Sequence, residues 1–226
     1  MNTSLAPVTL TFADGAGIDV VDKDLPSGIR VLNAVSDRSA IDAGLDLALM
    51  PPLIQALPFA TVSDQILIAS GDHNLNITPA GNPGVLEIDQ AFTAARASLG
   101  TWLITGSPGA LSAALLGDDF RVVSGESKLR IFNASLLNGT VEVYVEAPGA
   151  DLSTIPAKAL LASGTASANE RFAPGDYELT VRSAIDQTIL LGPQLLTIAA
   201  DGYYGILLSD PLGGTGIDAQ RLYDFN

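Results

Sequence analysis

Hydrophobic and polar residues alternate in short runs through the second half of the chain. In residues 141–146, Val141, Val143 and Val145 share one face, while two glutamates and a tyrosine occupy the other. Such a period of two is typical of a half-buried β-strand. About seven runs of this kind in some 100 residues, separated by turn sequences such as Asn138-Gly139, predict an antiparallel β-sandwich.

The first half of the chain repeats these blocks in the same order. The paired blocks are 28–34 with 128–134, 45–49 with 141–145, 71–77 with 175–181, and 100–104 with 202–206. A period of about 100 residues indicates a duplicated domain, because solenoid repeats are much shorter. We therefore predict an all-β protein of two tandem antiparallel β-sandwich domains. Residues 26–124 form the first, residues 127–226 the second, and residues 1–25 an N-terminal strand and acidic linker.

Several segments between these blocks have ambiguous local patterns. The block alignment predicts a strand over residues 45–50. Residues 90–99 are rich in alanine, but their counterpart is the strand 195–199, so we expect them to be extended. Residues 110–116 are predicted to form a short helical turn. The linker 124–127 is so short that the two domains are expected to pack end to end or side by side.

The N-terminal segment lies outside the duplication. Val8, Leu10 and Phe12 alternate with two threonines, which predicts a short strand. A strand of five residues is not stable alone, so it must pair with another strand. The acidic, glycine-containing segment that follows is long enough to reach a sheet edge in the same chain or in a neighbouring copy. We favour pairing within the chain.

The charge of the chain excludes several classes of partner. Twenty-five Asp and Glu against 11 Lys and Arg give a net charge of −14, which disfavours nucleic acids and anionic lipid surfaces. The chain has no cysteine, which excludes disulfides and thiolate chemistry. No apolar run approaches the roughly 18 residues of a membrane-spanning helix. The first residues, Met1 to Ser4, lack the features of a signal peptide, and we expect the natural protein to be exported with its signal sequence upstream of Asn2.

The blocks of the second half resemble one known family. The segments are 129–135 (Leu-Arg-Ile-Phe-Asn-Ala-Ser), 141–145 (Val-Glu-Val-Tyr-Val), 174–181 (Pro-Gly-Asp-Tyr-Glu-Leu-Thr-Val) and 196–204 (Leu-Thr-Ile-Ala-Ala-Asp-Gly-Tyr-Tyr). They are similar to the motifs of the domain of unknown function 4397. The first half matches less closely, with Val35, Ala48 and His73 in place of a serine and two tyrosines. The resemblance implies immunoglobulin-like sandwiches in an exported or cell-surface prokaryotic protein, without established catalytic residues.

Few residues suggest catalysis or metal binding. His73 is the one histidine and occupies the position of Tyr177 in the second repeat, so we expect a structural role and predict no catalytic residues. Acidic residues cluster in two places as candidate calcium ligands, although neither cluster has a closed ligand spacing and solvated loops are the preferred interpretation. The clusters are Asp14, Asp19, Asp22 and Asp24, and Asp118 with Asp119. We expect no bound metal and no cofactor.

Two sets of residues are predicted to be structural. Arg30 and Arg130 hold the same repeat position, and we expect each to pair with an acid on an adjacent strand, Asp46 or Glu142. Trp102 is aligned with Tyr204. Alternation then places one residue of the Tyr203-Tyr204 pair in the core and the other on the sheet surface.

The sequence leaves three functions open. The first is a non-catalytic cell-surface or periplasmic module for binding, adhesion or scaffolding, with an unknown protein or glycan as partner. The second is a carbohydrate-active or hydrolytic accessory protein that uses an acidic loop cluster. The third is a subunit of a surface assembly that self-associates through the N-terminal strand.

Overall fold

The computed structural model describes residues 8–11, 17–20, 26–121 and 123–222, which form strands, turns and loops. The strands before the second repeat are β1 (Val8–Thr11), β2 (Gly17–Val20), β3 (Ser27–Asn33), β4 (Ile41–Leu45), β5 (Ile54–Leu57), β6 (Thr61–Val62), β7 (Ile66–Ile68), β8 (Gly71–Pro79), β9 (Ile88–Ala94), β10 (Leu99–Ser107) and β11 (Ala110–Gly117). The others are β12 (Ser127–Asn133), β13 (Val141–Glu146), β14 (Ala159–Leu161), β15 (Thr165–Ala166), β16 (Glu170–Phe172), β17 (Gly175–Ser183), β18 (Ile189–Ile198), β19 (Tyr203–Ser209) and β20 (Asp218–Leu222). Within these described ranges, no helix is long and apolar enough to cross a membrane.

The two repeats form two β-sandwiches, and the predicted all-β fold class is confirmed. In the first, a sheet ordered β11-β10-β3-β6, with β7 also on β3, faces a sheet ordered β5-β4-β8-β9. In the second, β15-β12-β19-β20, with β16 on β12, faces β14-β13-β17-β18. Most pairs are antiparallel, but β3 with β10 and β12 with β19 are parallel. Each sandwich encloses its own apolar core.

The two sandwiches pack face to face, rather than end to end or side by side as predicted. A third apolar cluster joins Leu32 and Leu103 of the first repeat to Phe132 and Leu207 of the second. The cause is visible in β3 and β12, which are buried at every residue. Alternate side chains of each strand enter its own sandwich core, and the others enter the interface.

The strand predicted over residues 45–50 lies four residues earlier. β4 ends at Leu45, and Asp46 and Leu47 then adopt left-handed backbone conformations that turn the chain. In β4, Leu45 pairs with Leu75 just as Val145 pairs with Leu179 in the second repeat. Gly44, and not Ala48, is therefore the counterpart of Tyr144.

The alignment of residues 100–104 with residues 202–206 matched the correct strands, but it was wrong by two residues. Trp102 pairs with Val31, whereas Tyr204 pairs with Leu129, so the counterpart of Trp102 is Ile206. A shift of two residues leaves each side chain on its predicted face, because strand side chains alternate. Both Trp102 and Tyr204 accordingly lie in sandwich cores.

Tertiary pairing decides the two alanine-rich segments. The extended conformation predicted for residues 90–99 is confirmed at β9, which pairs with β8. The helical turn predicted for residues 110–116 is wrong, because this segment is β11 and pairs along its whole length with β10. Leu111 and Ala113 of β11 pack against the first core, which outweighs the helical preference of alanine.

The N-terminal strand pairs within the chain, but not with a sandwich. β1 pairs with β2 in a separate two-stranded antiparallel sheet, with Val8 opposite Val20. The segment predicted as an acidic linker thus contributes the partner strand.

Candidate functional site

Arg30 and Arg130 meet at one carboxylate in the interface between the sandwiches. Asp118 Oδ1 accepts a hydrogen bond of 2.8 Å from Arg130, and Asp118 Oδ2 lies 3.4 Å from Arg30 Nε. Arg30 Nε donates to Thr101 Oγ1, which in turn donates to Asp118 Oδ2, both over 2.7 Å. The Asp118 side chain is 1% exposed. This cluster is a buried structural network with two cations and one carboxylate.

Aromatic and charged neighbours enclose this network. The Arg30 guanidinium lies 4.6 Å from the ring centroid of Phe120, and that ring packs edge-on against Tyr203. Burial lowers the pKa of Arg30 despite the opposing effect of Asp118, and burial likewise raises the pKa of Tyr203 to about 12. Lys128 Nζ lies 2.9 Å from Asp119, whose pKa is lowered chiefly by its hydrogen bond with Arg121.

The predicted partners of the two arginines are wrong. β3 and β4 belong to different sheets, as do β12 and β13, so Asp46 and Glu142 are not on strands adjacent to Arg30 and Arg130. Glu142 instead accepts a hydrogen bond of 2.8 Å from the hydroxyl of Tyr144.

Asp46 pairs with the one histidine. His73 Nδ1 lies 2.8 Å from Asp46 Oδ2, and His73 Nε2 lies 2.9 Å from the carbonyl oxygen of Ala69. Both partners are acceptors, so the imidazolium form, which donates from both nitrogens, satisfies them together. The hydrogen bond with Asp46 raises the pKa of His73, and the same contact lowers the pKa of Asp46.

The second repeat keeps one of these two contacts, the one with a backbone carbonyl oxygen. Tyr177, at the position of His73, donates a hydrogen bond of 2.9 Å to the carbonyl oxygen of Ala173. In both repeats the side chain therefore closes the turn before a central strand by bonding to the residue four positions earlier. This contact resembles the tyrosine corner of immunoglobulin-like sandwiches. His73 has the bonding of a structural residue.

The aromatic pair is buried on both faces. One of the two tyrosines was predicted to lie in the core, and Tyr204 lies in the second sandwich core. Tyr203 was predicted to be on a sheet surface if Tyr204 is inside, but it is 2% exposed, because the first sandwich covers that face. Its hydroxyl donates to Asn169 Oδ1 over 2.6 Å.

The predicted calcium ligands do not form a metal site in the part of the chain that the structure describes. Asp14, Asp22 and Asp24 lie outside the described residues, and the backbone of Asp19 belongs to β2. Asp118 and Asp119 are the counter-ions of the interface cations rather than solvated loop residues. Across the described ranges, no group of three or more histidines and acids is placed to hold a metal ion.

A cleft of about 360 Å³ lies on the outer face of the second sandwich, opposite to the interface. We call it the outer cleft. Strands β13, β17 and β18 form its floor, and the loop after β13 forms one wall. The lining residues used below are Glu146, Asp151, Leu152, Glu178, Arg182, Ile189 and Pro193.

Charged side chains dominate the floor of the outer cleft. Glu146 and Glu178 are directly opposite in the register of β13 and β17. Glu178 accepts a hydrogen bond of 3.0 Å from the Gly149 backbone N–H, and Lys158 Nζ lies 3.5 Å from Glu146 Oε1. The Arg182 guanidinium lies 5.2 Å from the ring centroid of Tyr144. The hydroxyl and backbone N–H of Ser153 lower the pKa of Asp151, and the charge of Arg182 adds to this effect.

Two polar atoms of the outer cleft lack hydrogen bonds from or to the described residues. Glu146 Oε1 and Arg182 Nε are both buried and make no hydrogen bond in this sense, although Glu146 Oε1 forms an ion pair with Lys158. A buried acceptor or donor without a partner is costly, typically about 1–3 kcal/mol. Neither atom has accessible surface, so a molecule that enters the cleft would meet the remaining parts of these side chains.

The two repeats differ in local sequence at the position of the outer cleft. β18 contains two register shifts against β17, which leave Ile189 and Pro193 along the rim. At Gly192 an added Cβ would lie 2.5 Å from the Leu179 carbonyl oxygen, so the bulge requires glycine. In the first repeat the backbone of Ala48 covers Gly44 so closely that a Cβ would lie 2.7 Å from its carbonyl oxygen.

Sequence reasoning did not single out the outer cleft. Part of the signal was present, because Glu142, Tyr144 and Glu146 were assigned to the face of their strand opposite to the valines. The sequence pattern does not show that β13 and β17 are paired, or that β18 contains a bulge.

Comparisons with known proteins agree with the fold. Residues 27–144 match the domain of unknown function DUF4397, a segment that runs from the start of β3 through most of β13. The chain belongs to this family. No curated protein matches the chain.

One solved structure with weak similarity is a carbohydrate-binding module of family CBM26 from Eubacterium rectale Amy13K, in complex with maltoheptaose. The match covers 89% of this chain and 98% of that chain, at 11% identity and a TM-score of 0.27. Similarity at this level does not transfer a ligand to this DUF4397 chain.

Proposed function

We propose that this DUF4397 protein is a non-catalytic binding module of the cell surface or periplasm, and that the outer cleft is its binding site. The observation that carries the proposal is the outer cleft itself, a cavity of about 360 Å³ on an outer sheet face with Glu146, Glu178 and Arg182 among its lining residues. A ligand with both donors and acceptors would complement these charged groups. Export is part of the proposal and is supported by the absence of cysteine and by the acidic composition.

Two other charged groups that could suggest a site are engaged in structure. His73 is bonded at both nitrogens, and Asp118 bonds two arginines. Such groups stabilise the sandwiches and their interface, so the proposed binding site is placed at the outer cleft instead. The face-to-face packing supports a scaffold role as well, because a buried interface holds the cleft in a fixed orientation to the first sandwich.

A titration of isotope-labelled protein followed by NMR tests the proposal. Three compound classes are added in turn: arginine amide, maltose and acetate. We expect at least one class to shift the backbone amide signals of Gly149, Glu178 and Arg182 and to be recovered unchanged. If none of the three moves these signals, the outer cleft is not a binding site, and if a compound is hydrolysed, the hydrolytic alternative holds.

A second candidate function is assembly by strand addition at the N-terminus. It is favoured by the two-stranded sheet of β1 and β2, which is separate from the sheets of the sandwiches. A neighbouring strand that paired with this hairpin would extend it. Light scattering of the full chain and of a chain without residues 1–25 tests it, since only the full chain should associate.

A further inference from the structure

We infer that β11 is the contact between two copies of this chain, which pair edge to edge in antiparallel orientation and join two sheets into one. The inference goes beyond the proposed function, because it concerns a different surface and does not depend on the outer cleft. Three features carry it: the regularity of this edge, the backbone groups that point outward from it, and the match of its sequence to itself.

β11 is a sheet edge without the features that normally prevent edge-to-edge association. It is the outermost strand of its sheet, and it pairs with β10 over all eight residues without a register shift. None of these eight residues is charged, and none is proline. Natural proteins protect long edges with charges, prolines, bulges or very short strands, because an unprotected edge is a template for pairing with another chain.

The other long edges described in the two sandwiches carry such protection. β18 has two register shifts and contains a proline, and β9 has an exposed aspartate, Asp89. β20 holds the place of β11 in the second repeat, but it has five residues and two of them are charged, Asp218 and Arg221. In β11 the positions of these two charges are taken by Ser112 and Leu115. The unprotected edge is therefore a property of this strand and not of the fold.

Alternate residues of β11 have backbone groups that point away from the sheet. The N–H of Asp118, the residue after β11, donates to the Leu99 carbonyl oxygen. Because hydrogen-bonded pairs alternate in an antiparallel ladder, the even-numbered residues of β11 bond to β10. The backbone groups of Leu111, Ala113 and Leu115 therefore point outward, and they make no hydrogen bond to the described residues. A neighbouring strand would pair with all of them.

These outward groups restrict how two copies can align. Odd-numbered residues of one copy have to lie opposite odd-numbered residues of the other, since only these present outward N–H and C=O groups. In the register centred on Ala113, Leu111 of each copy lies opposite Leu115 of the other, and about six hydrogen bonds form. Ser112 then lies opposite Ala114. The leucines meet on the face of the sandwich core, where Leu115 is 39% exposed in the single chain.

A second copy suits this edge better than a flexible peptide does. A peptide would lose conformational freedom on pairing, at about 1–2 kcal/mol per residue, whereas β11 of a second copy is already held in place by β10. The net charge of −14 on each copy opposes association at long range, but β11 itself adds no charge to the contact. Salt screens this repulsion, so salt should favour the dimer.

Sedimentation velocity of the full chain, over a range of protein concentrations and at low and high sodium chloride, tests the inference. We expect a monomer–dimer equilibrium in which the dimer fraction increases with salt. A chain that stays monomeric at every concentration would overturn the inference. A dimer that dissociates as salt is added would overturn it as well, because such a contact would depend on opposite charges.

Two variants and a control locate the contact. Ser112→Lys places a charge at an exposed position in the middle of the edge, and it should raise the dimer dissociation constant by about tenfold or more. Ala113→Pro removes an outward N–H without removing a bond to β10, and it should abolish the dimer. The control Gln194→Lys puts the same charge on an exposed position of β18 and should stay within about twofold of the parent.

Thermal melting of each variant checks that it is folded. If folded Ser112→Lys dimerises as well as Gln194→Lys, β11 is not the contact and the inference is overturned. Assembly through the N-terminal strand would give that result, since neither variant changes residues 1–25.

Cysteine cross-linking tests the register, because the natural chain has no cysteine. Ser112→Cys and Ala114→Cys are purified separately, mixed and oxidised. Opposite residues of a non-hydrogen-bonded pair lie about 4.5 Å apart between Cα atoms, within the range of a disulfide, whereas diagonal neighbours lie about 7–8 Å apart. We expect a cross-linked dimer in the mixture and little from either variant alone. Efficient cross-linking of either variant alone would overturn the register centred on Ala113.

Discussion

Arg30 and Arg130, 100 residues apart and at the same position of two repeats, share the carboxylate of Asp118. Asp118 comes directly after β11, at the end of the first repeat. The contact ties the end of the first repeat to the first strand of each sandwich. It therefore couples the two repeats by charge, next to an apolar cluster that couples them by packing.

Replacing Asp118 with asparagine should destabilise the protein strongly. Two buried guanidinium groups would lose their carboxylate, and breaking a buried ion pair in this way costs about 3–5 kcal/mol. Urea unfolding measures the change. The control Asp176→Asn removes a carboxylate that accepts only the exposed Thr197 hydroxyl, and it should have a much smaller effect. A loss for Asp118→Asn no larger than that of the control would show that the network is not stabilising.

Replacing Phe132 with alanine should lower the stability of both sandwiches. Phe132 is 2% exposed in the interface cluster, and truncating a buried phenylalanine costs about 3–5 kcal/mol. Trp102, the one tryptophan, lies in the core of the first sandwich and reports on that sandwich by fluorescence. We expect its transition to shift to lower denaturant concentration. An unchanged tryptophan transition, with a shifted circular dichroism signal, would mean that the sandwiches unfold independently.

The contact between His73 and Asp46 should make stability depend on pH. Asp46 raises the pKa of His73 in the folded state, so this contribution is full below about pH 6.5 and is lost as pH rises through the higher folded pKa. His73 in turn lowers the pKa of Asp46, so that contribution is present above about pH 4 and is lost as pH falls further. The contact therefore stabilises most between these two values.

The variant His73→Tyr tests this window, because tyrosine fills the same position in the second repeat. Its melting temperature should change less than that of the parent between about pH 5.5 and about pH 9. Tyr177→Phe, which removes the corresponding bond to Ala173, should lower the melting temperature equally at both values. A parent and a His73→Tyr variant with the same pH profile would contradict the assignment.

Replacing Gly44 with alanine should be costly although the backbone there is ordinary. A Cβ would lie 2.7 Å from the carbonyl oxygen of Ala48 and 2.9 Å from a methyl group of Leu49. Relief of that contact requires the turn to move, which costs about 1–3 kcal/mol. Gly84→Ala is the matched control, because its nearest heavy atom, a side-chain oxygen of Asn82, would lie 3.8 Å away. Equal stabilities for the two variants would disprove close packing at Gly44.

Local sequence predicted the strands well where alternation is regular. β12, β13 and β17 follow from the period of two alone, and their duplication led to β3 and β8. The position of β4 could not be found in this way, because its residues 41–45 include an alanine and a glycine that blur the alternation. The position of β4 is set by its pairing with β8, and only the folded chain defines that pairing.

The partners of the candidate residues depended on contacts that no local pattern contains. Arg30 and Asp118 are 88 positions apart in sequence and meet because β3 and β11 flank β10 in one sheet. Arg130 reaches Asp118 because the two sandwiches pack face to face. The sequence did contain a hint of that interface, since Leu32 and Phe132 put large apolar side chains on the face opposite to each sandwich core. The outer cleft depends in addition on the bulge in β18. Gly192 and Pro193 are evident in the sequence, but the register of β18 against β17 is not.

The face-to-face interface gives the molecule two opposite ends. Its four large sheets are stacked in one order, with the sheets of β3 and β12 in the middle and those of β8 and β17 outside. At about 10 Å between neighbouring layers, the two outermost surfaces lie about 30 Å apart and point away from each other. One is lined by Asn74 and Asp89, which are already hydrogen-bonded together, and the other holds the outer cleft. If the cleft binds a ligand as proposed, that ligand is held about 30 Å from whatever contacts the opposite surface, and the protein would then act as a spacer between the two.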